Sequence, residues 1–169
     1  MAFRRRPLLQ ATRIVKTIKN AIISWAQART PDFIIGGADN PYLIRWWLIP
    51  RNRVFNIYVH CFLRSDDDRA LHDHPWVNAS ILLEGEYTEH TIDAGGIEHR
   101  TIRKAGAVKL RTGKSAHRIE LHNGPCWTVF VTGPVYRKWG FHCPQKGWGH
   151  YRDFVADHDK GTIGKGCTP

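Results

Sequence analysis

The chain has 169 residues, enough for one globular domain with an appended segment and too few for two full domains. Apolar residues make up 42%, with seven Trp and seven Phe, so a genuine core is within reach, while the lack of any run of about 18 apolar residues argues against a transmembrane span. The formal net charge of +10 favours acidic partners, whether nucleic acid, an anionic membrane surface or a small anionic substrate.

That charge is unevenly placed. Between Met1 and Pro31 there are seven Arg or Lys and no acidic residue, so a nucleic-acid reading leans mostly on this segment. Within it Ala11, Ile14, Val15, Ile18, Ala21, Ile22 and Trp25 recur every three or four positions, opposite Arg13, Lys16 and Lys19. The pattern predicts a basic amphipathic helix over 1–30. In composition it resembles a membrane-surface helix or a targeting presequence, but the favoured reading is a helix packed on the domain body with its charges solvated.

After Pro31 the texture changes to short β-branched and aromatic runs divided by Gly, Asp and Pro turns. Strands are expected over 42–49, 54–63, 76–83, 86–92, 98–102, 107–110, 115–121 and 127–132. Eight short strands at this spacing predict an all-β sandwich or barrel over 31–160. Residues 161–169 read as a flexible tail. Cys61, Cys126, Cys143 and Cys167 show no C-x-x-C spacing and follow no secretory leader, which predicts free thiols in a reducing, cytoplasmic compartment, with a disulfide left open by the even count.

The segment that carries chemistry is His72-Asp73-His74-Pro75-Trp76-Val77-Asn78, followed by Gly85. On an extended strand alternate side chains share a face, so His72 and His74 point together and Asp73 points away. Asn78 has the same parity as the two histidines. His117 lies on a later strand that a closed barrel can bring alongside. Three imidazoles suit Fe, Zn, Ni and Cu and leave positions open for substrate or oxygen. Asp73 or Glu120 are candidates to fix the ring tautomers. The run Arg64-Ser65-Asp66-Asp67-Asp68-Arg69 reads as a solvated turn. Tyr136 and His142 are candidates to close a pocket, and His142-Cys143 is a weaker second ligand pair. Arg51, Arg53 and Arg118 are alternative anion anchors, and the Trp and basic residues from Tyr136 to Arg152 either stack bases or cover the open end.

The spacing from His72 to Gly85 resembles the first cupin motif, and Gly106 to His117 resembles the second. Asn78 stands where that motif carries a metal-binding Glu, and Thr112-Gly113-Lys114 replaces the usual Pro-x-Gly. Over roughly Arg45 to Pro134 the order of motifs is similar to cysteine dioxygenases, a family with three-His sites. The runs that carry it are Phe55-Asn56-Ile57-Tyr58-Val59, His72-Asp73-His74, Leu82-Leu83-Glu84-Gly85 and His117-Arg118-Ile119-Glu120. The resemblance implies a single cupin barrel, a jelly-roll or double-stranded β-helix, with His72, His74 and His117 on one divalent metal. Fe(II) is favoured; Zn, Ni, Mn and Cu are compatible. It also implies that Arg45 anchors a substrate carboxylate. Thr132 stands where the family has an active-site Tyr, Phe130 where it has a supporting His, and no Cys lies near Asn78. These departures turn the expectation from cysteine toward another small, anionic molecule. The expected function is therefore a metal-dependent oxygenase of thiol-dioxygenase type. Alternatives are a non-catalytic or isomerase-type cupin that binds a sugar or nucleotide, and a basic nucleic-acid-binding module. Cupins often pair through sheet edges, which leaves a homodimer open.

Overall fold

The computed structural model describes residues 5–66, 70–93, 96–158 and 162–167, with side chains from residue 13 onward. The chain divides into two compact units, 1–31 and 32–169. The first holds one helix, α1 (Arg5–Gln27). Among the described residues the second holds twelve strands and a one-turn helix, α2 (Tyr151–Phe154).

The strands are β1 (Phe33–Ile35), β2 (Leu43–Trp47), β3 (Asn56–Phe62), β4 (Leu71–His72), β5 (Asn78–Glu84) and β6 (Glu86–Ile92), then β7 (Glu98–Lys104), β8 (Val108–Arg111), β9 (His117–Leu121), β10 (Cys126–Thr132), β11 (Gly140–Cys143) and β12 (Gly147–His150). They form two six-stranded sheets, ordered β1-β2-β3-β10-β5-β8 and β12-β11-β4-β9-β6-β7, and every pairing is antiparallel. Of the eight strands β3 to β10, β3, β5, β8 and β10 lie in one sheet and β4, β6, β7 and β9 in the other, and β3-β10-β5-β8 faces β4-β9-β6-β7. This interleaved order is that of a jelly roll.

Alternation of apolar and polar residues fixes which face is inward. Leu82 and Cys126 from one sheet meet Tyr87 and Ile119 from the other in a core cluster. Gly85 makes the turn between β5 and β6 with φ of +94°, and a Cβ there would run into Cys126 and the Pro125 carbonyl. Four strands were not expected from the sequence: β1, β4, β11 and β12. Each has four residues or fewer, too short for a pattern of its own, and each owes its existence to a neighbour in the sheet.

The cysteine expectation needs correction. Cys143 and Cys167 form a disulfide, with Cα atoms 5.4 Å apart, while Cys61 and Cys126 are free and buried. The 24-residue spacing carries no local signal, because it is the reversal at α2 that brings the two together. The expectation of a reducing compartment loses part of its basis accordingly. The segment expected to be loose is also engaged over 162–167. Ile163 bridges to Val155, and the N–H groups of Gly164 and Gly166 donate to the Phe154 carbonyl at 2.9 and 3.1 Å. No helix among the described residues is long and apolar enough to cross a membrane.

A candidate metal centre between the sheets

Sheet pairing joins the two histidine segments. In the β4–β9 ladder His72 lies directly opposite His117, so the residue distant in sequence becomes a cross-strand neighbour. His74, just past β4, completes the group, with ring centroids 5.1 Å from His72 and 5.2 Å from His117. One nitrogen from each ring lies within 4.8 Å of the others, and His74 Nε2 is 3.0 Å from His117 Nε2.

The intervening Asp73 points the other way, as strand parity requires. It is almost wholly buried and accepts from the Gly140 N–H at 2.8 Å and Trp148 Nε1 at 3.0 Å, and pairs with Arg137 at 2.8 Å. Arg137 Nη1 also donates to the carbonyls of Gly113 (2.7 Å) and His74 (3.2 Å). One carboxylate and one guanidinium thus clamp the backbone that presents His74.

Burial pushes the His74 and His117 imidazoles down, the latter to about 4, with neighbouring histidines and Arg111 adding to the effect. Both rings are neutral at pH 7, the state a metal ligand needs. The groups that orient the rings differ from those expected. Glu120 instead pairs with His90 at 2.7 Å, and Asp73 is engaged as above. Glu89 Oε1 lies 3.5 Å from His117 Nδ1, an electrostatic contact longer than a good hydrogen bond. It favours a proton on Nδ1 and a lone pair on Nε2. Asp66 Oδ2 stands 3.9 Å from His72 Nδ1. Asp66 therefore does not belong to a solvated turn: its side chain is 9% exposed, accepts from the Ile119 N–H at 2.6 Å and is hydrogen-bonded to the Tyr42 hydroxyl. Its neighbours 67–69 lie outside the described residues.

Glu89 has no exposed side-chain surface. Burial alone would raise its pKa, but His117 and Arg111 outweigh that and hold it well below the usual carboxylate range. Arg111 bonds it through both Nε and Nη2, Arg103 donates at 2.9 Å, and Lys109 stands 3.6 Å away. Glu89 and Arg111 were missed in the sequence. The available signal was parity: Glu89 shares an inward face with Tyr87, where an acid is out of place unless partnered.

The three histidines open on a cavity of about 1070 Å³ between the sheets, whose lining includes Arg45, Tyr58, His60 and Arg111. Arg45 Nε donates to His60 Nε2 at 2.8 Å, and its guanidinium carbon sits 4.7 Å above the Tyr58 ring. His60, buried and beside this cation, is held neutral. Among the described residues no carboxylate pairs with Arg45.

Other sequence candidates fall elsewhere. Asn78 is buried on β5, opposite Arg111 and Thr132 in the other sheet from β4, and does not line the cavity, because the chain changes sheets between His74 and Asn78. Phe130 lines the cavity with its ring 5.1 Å from that of His60. Tyr136 is tied down by the Gly113 N–H at 2.8 Å, and Cys143 is oxidised, so His142-Cys143 is no thiolate ligand pair. Arg51 and Arg53 are exposed at the cavity edge, while Arg118 lies by His90 and Glu120. In the aromatic C-terminal run Trp139 stacks on Tyr151 and Phe141 on Phe154, at 4.6 and 3.8 Å.

The strand order and the three rings define a mostly β, two-sheet protein whose histidine group has the donor set to bind a metal. No family model matches the chain, and no curated protein matches it. Among solved structures, the iron(II) form of HppE is 20% identical, with a TM-score of 0.48, over 62% of this chain and 58% of that one. Hydroxypropylphosphonic acid epoxidase from S. wedmorenis is 20% identical with a TM-score of 0.47, over 62% and 57%. The formate complex of oxalate decarboxylase from Lactobacillus farciminis is 16% identical with a TM-score of 0.44, over 56% and 28%. The chain spans under three-fifths of each of these proteins. At such scores the likeness carries no argument about chemistry, which rests here on the geometry above.

Proposed function

We propose that this chain is a metal-dependent cupin that holds one divalent ion, Fe(II) by preference, on His72, His74 and His117 and acts as an oxygenase on a small anionic molecule. The observation that carries this reading is the meeting of three imidazoles, two of them kept neutral by burial. Two imidazoles each ~2.1 Å from an ion and at right angles would place their nitrogens about 3.0 Å apart. The His74–His117 separation is 3.0 Å. Fe(II) in such a site supplies open coordination positions and redox chemistry that no side chain offers. The charges of Glu89, 3.5 Å from His117 Nδ1, and Asp66, 3.9 Å from His72 Nδ1, favour ring protons on those nitrogens.

The substrate's charge is inferred from Arg45. A guanidinium turned into a cavity without a carboxylate partner is an uncompensated cation, and an anionic ligand group would neutralise it. His60 and Tyr58 fix its plane before any ligand arrives. The narrower thiol-dioxygenase reading draws on the three-His set together with Arg45, while Thr132 and Phe130 favour a substrate other than cysteine. A second reading, a sugar- or nucleotide-binding cupin, draws on cavity size and on Trp47, Trp76 and Trp139 in its wall.

Oxygen uptake by the Fe(II)-loaded protein, measured across small carboxylates with and without a thiol, tests the proposal. We expect turnover of at least one compound, and Arg45→Ala to raise its KM roughly tenfold to a hundredfold. Iron bound without oxygen uptake on any of them would favour the second reading.

A further inference from the structure

Independently of the histidine group, the geometry of α1 points to a second function: we propose that its face around Ile14, Val15 and Ile18 is a docking surface for an anionic lipid bilayer, lying in the membrane interface without crossing it. At roughly 100° per residue, Ile14, Val15, Ile18, Ile22 and Trp25 fall within one arc of about 100°. Arg13, Lys16 and Lys19 occupy the opposing arc. A helix that served only to pack would bury its apolar stripe along its whole length. Here Ile14, Val15 and Ile18 are 53%, 66% and 54% exposed, while Ile22 and Trp25 are half-buried. Three aliphatic side chains in water, each on a neighbouring turn, form a patch that needs an occupant.

Charge selects the occupant. The first 31 residues carry seven cations and no acid, so α1 has no internal ion pairs between side chains and repels any basic surface. An apolar arc flanked by lysine and arginine alone matches the layered chemistry of an anionic bilayer, with hydrocarbon beneath and phosphate at the rim. A water-soluble acidic partner would satisfy the cations but requires a hydrophobic groove of its own, and nucleic acid would leave the aliphatic residues exposed. Arg13 and Lys16 are exposed, placed where cations snorkel to headgroups.

The test uses the full-length chain and sedimentation with phosphatidylcholine vesicles, with and without phosphatidylglycerol. We expect binding only to the phosphatidylglycerol vesicles and release by high salt. Each of Arg13→Gln and Lys16→Gln should lower the partition coefficient roughly fivefold, equivalent to about 1 kcal/mol. Ile14→Asp with Ile18→Asp should abolish binding while leaving the metal content and the near-UV spectrum of the strand-bearing unit unchanged. The proposal is overturned by failure to bind anionic vesicles, by equal binding to neutral ones, or by full binding in the double aspartate variant. It is equally overturned if the chain is a dimer in solution that this variant converts to monomer, since the face would then serve a second copy.

Discussion

Glu89 is the residue on which most of the buried charge depends. Removing it strands Arg111, which is 6% exposed and would keep only neutral partners, among them Ser80 at 3.1 Å and the Tyr87 hydroxyl. Breaking a buried pair in this way costs about 3–5 kcal/mol. Glu89→Ala should therefore lower the urea midpoint by that equivalent, and weaken metal affinity roughly tenfold to a hundredfold through the loss of His117 orientation. Acid should act in the same direction through two groups. The folded His117 titrates at about 4, below its ordinary value of 6.5, so between those values the unfolded chain binds the extra proton and stability falls as pH falls. The folded Glu89 carboxyl is also depressed; its contribution is full above the ordinary carboxylate value and is lost only at still lower pH. Denaturant midpoints measured from pH 7.5 downward should decline first across the histidine window, and stability unchanged through that window would contradict the assignment. Among these residues, the pairing of His72 with His74 was legible because H-x-H on a strand fixes parity, and His117 was a candidate from its place on a later strand. Glu89 and Asp66 were not, since a partnered acid is indistinguishable from a solvated one until the strand opposite is known.

At the scale of elements, the critical seam is β12-β11-β4-β9, through which the C-terminal hairpin braces the strand carrying His72. Phe141 lies opposite His72 and Gly140 opposite His150, so β11 is held on both edges. A Cβ on Gly140 would collide with the Gly149 carbonyl, whereas one on Gly149 meets nothing within 4 Å. Gly140→Ala should thus destabilise by about 1–3 kcal/mol and loosen the metal site, with Gly149→Ala near neutral by comparison. Thermal melts of the two variants, side by side, check this. The long strands β3, β5, β6 and β10 were legible as β-branched and aromatic runs between turn residues. β4 could not, because two residues carry no period, and its consequence is visible in Asn78: parity put Asn78 on the face of the two histidines, whereas the chain leaves one sheet after β4 and enters the other.

For the whole molecule, the Cys143–Cys167 bond closes the C-terminal segment onto β11 beside the cavity wall formed by Val155, Thr162 and Ile163. A loop of this length contributes roughly 3 kcal/mol by the chain-entropy account. Cys167→Ser should lower stability by about that amount. The native oxidised protein should also show no thiol reactive toward a disulfide reagent, since burial pushes Cys61 up to about 12 and also raises Cys126. The account as a whole turns on whether the histidine group binds an ion. Metal content of protein prepared without chelators and then given Fe(II) under argon is the most direct measurement. It should give one ion per chain in the wild type and in His90→Ala, and none in His72→Ala, His74→Ala or His117→Ala. A wild-type chain that takes up no metal, or a His117→Ala chain that binds as well as the wild type, would contradict it.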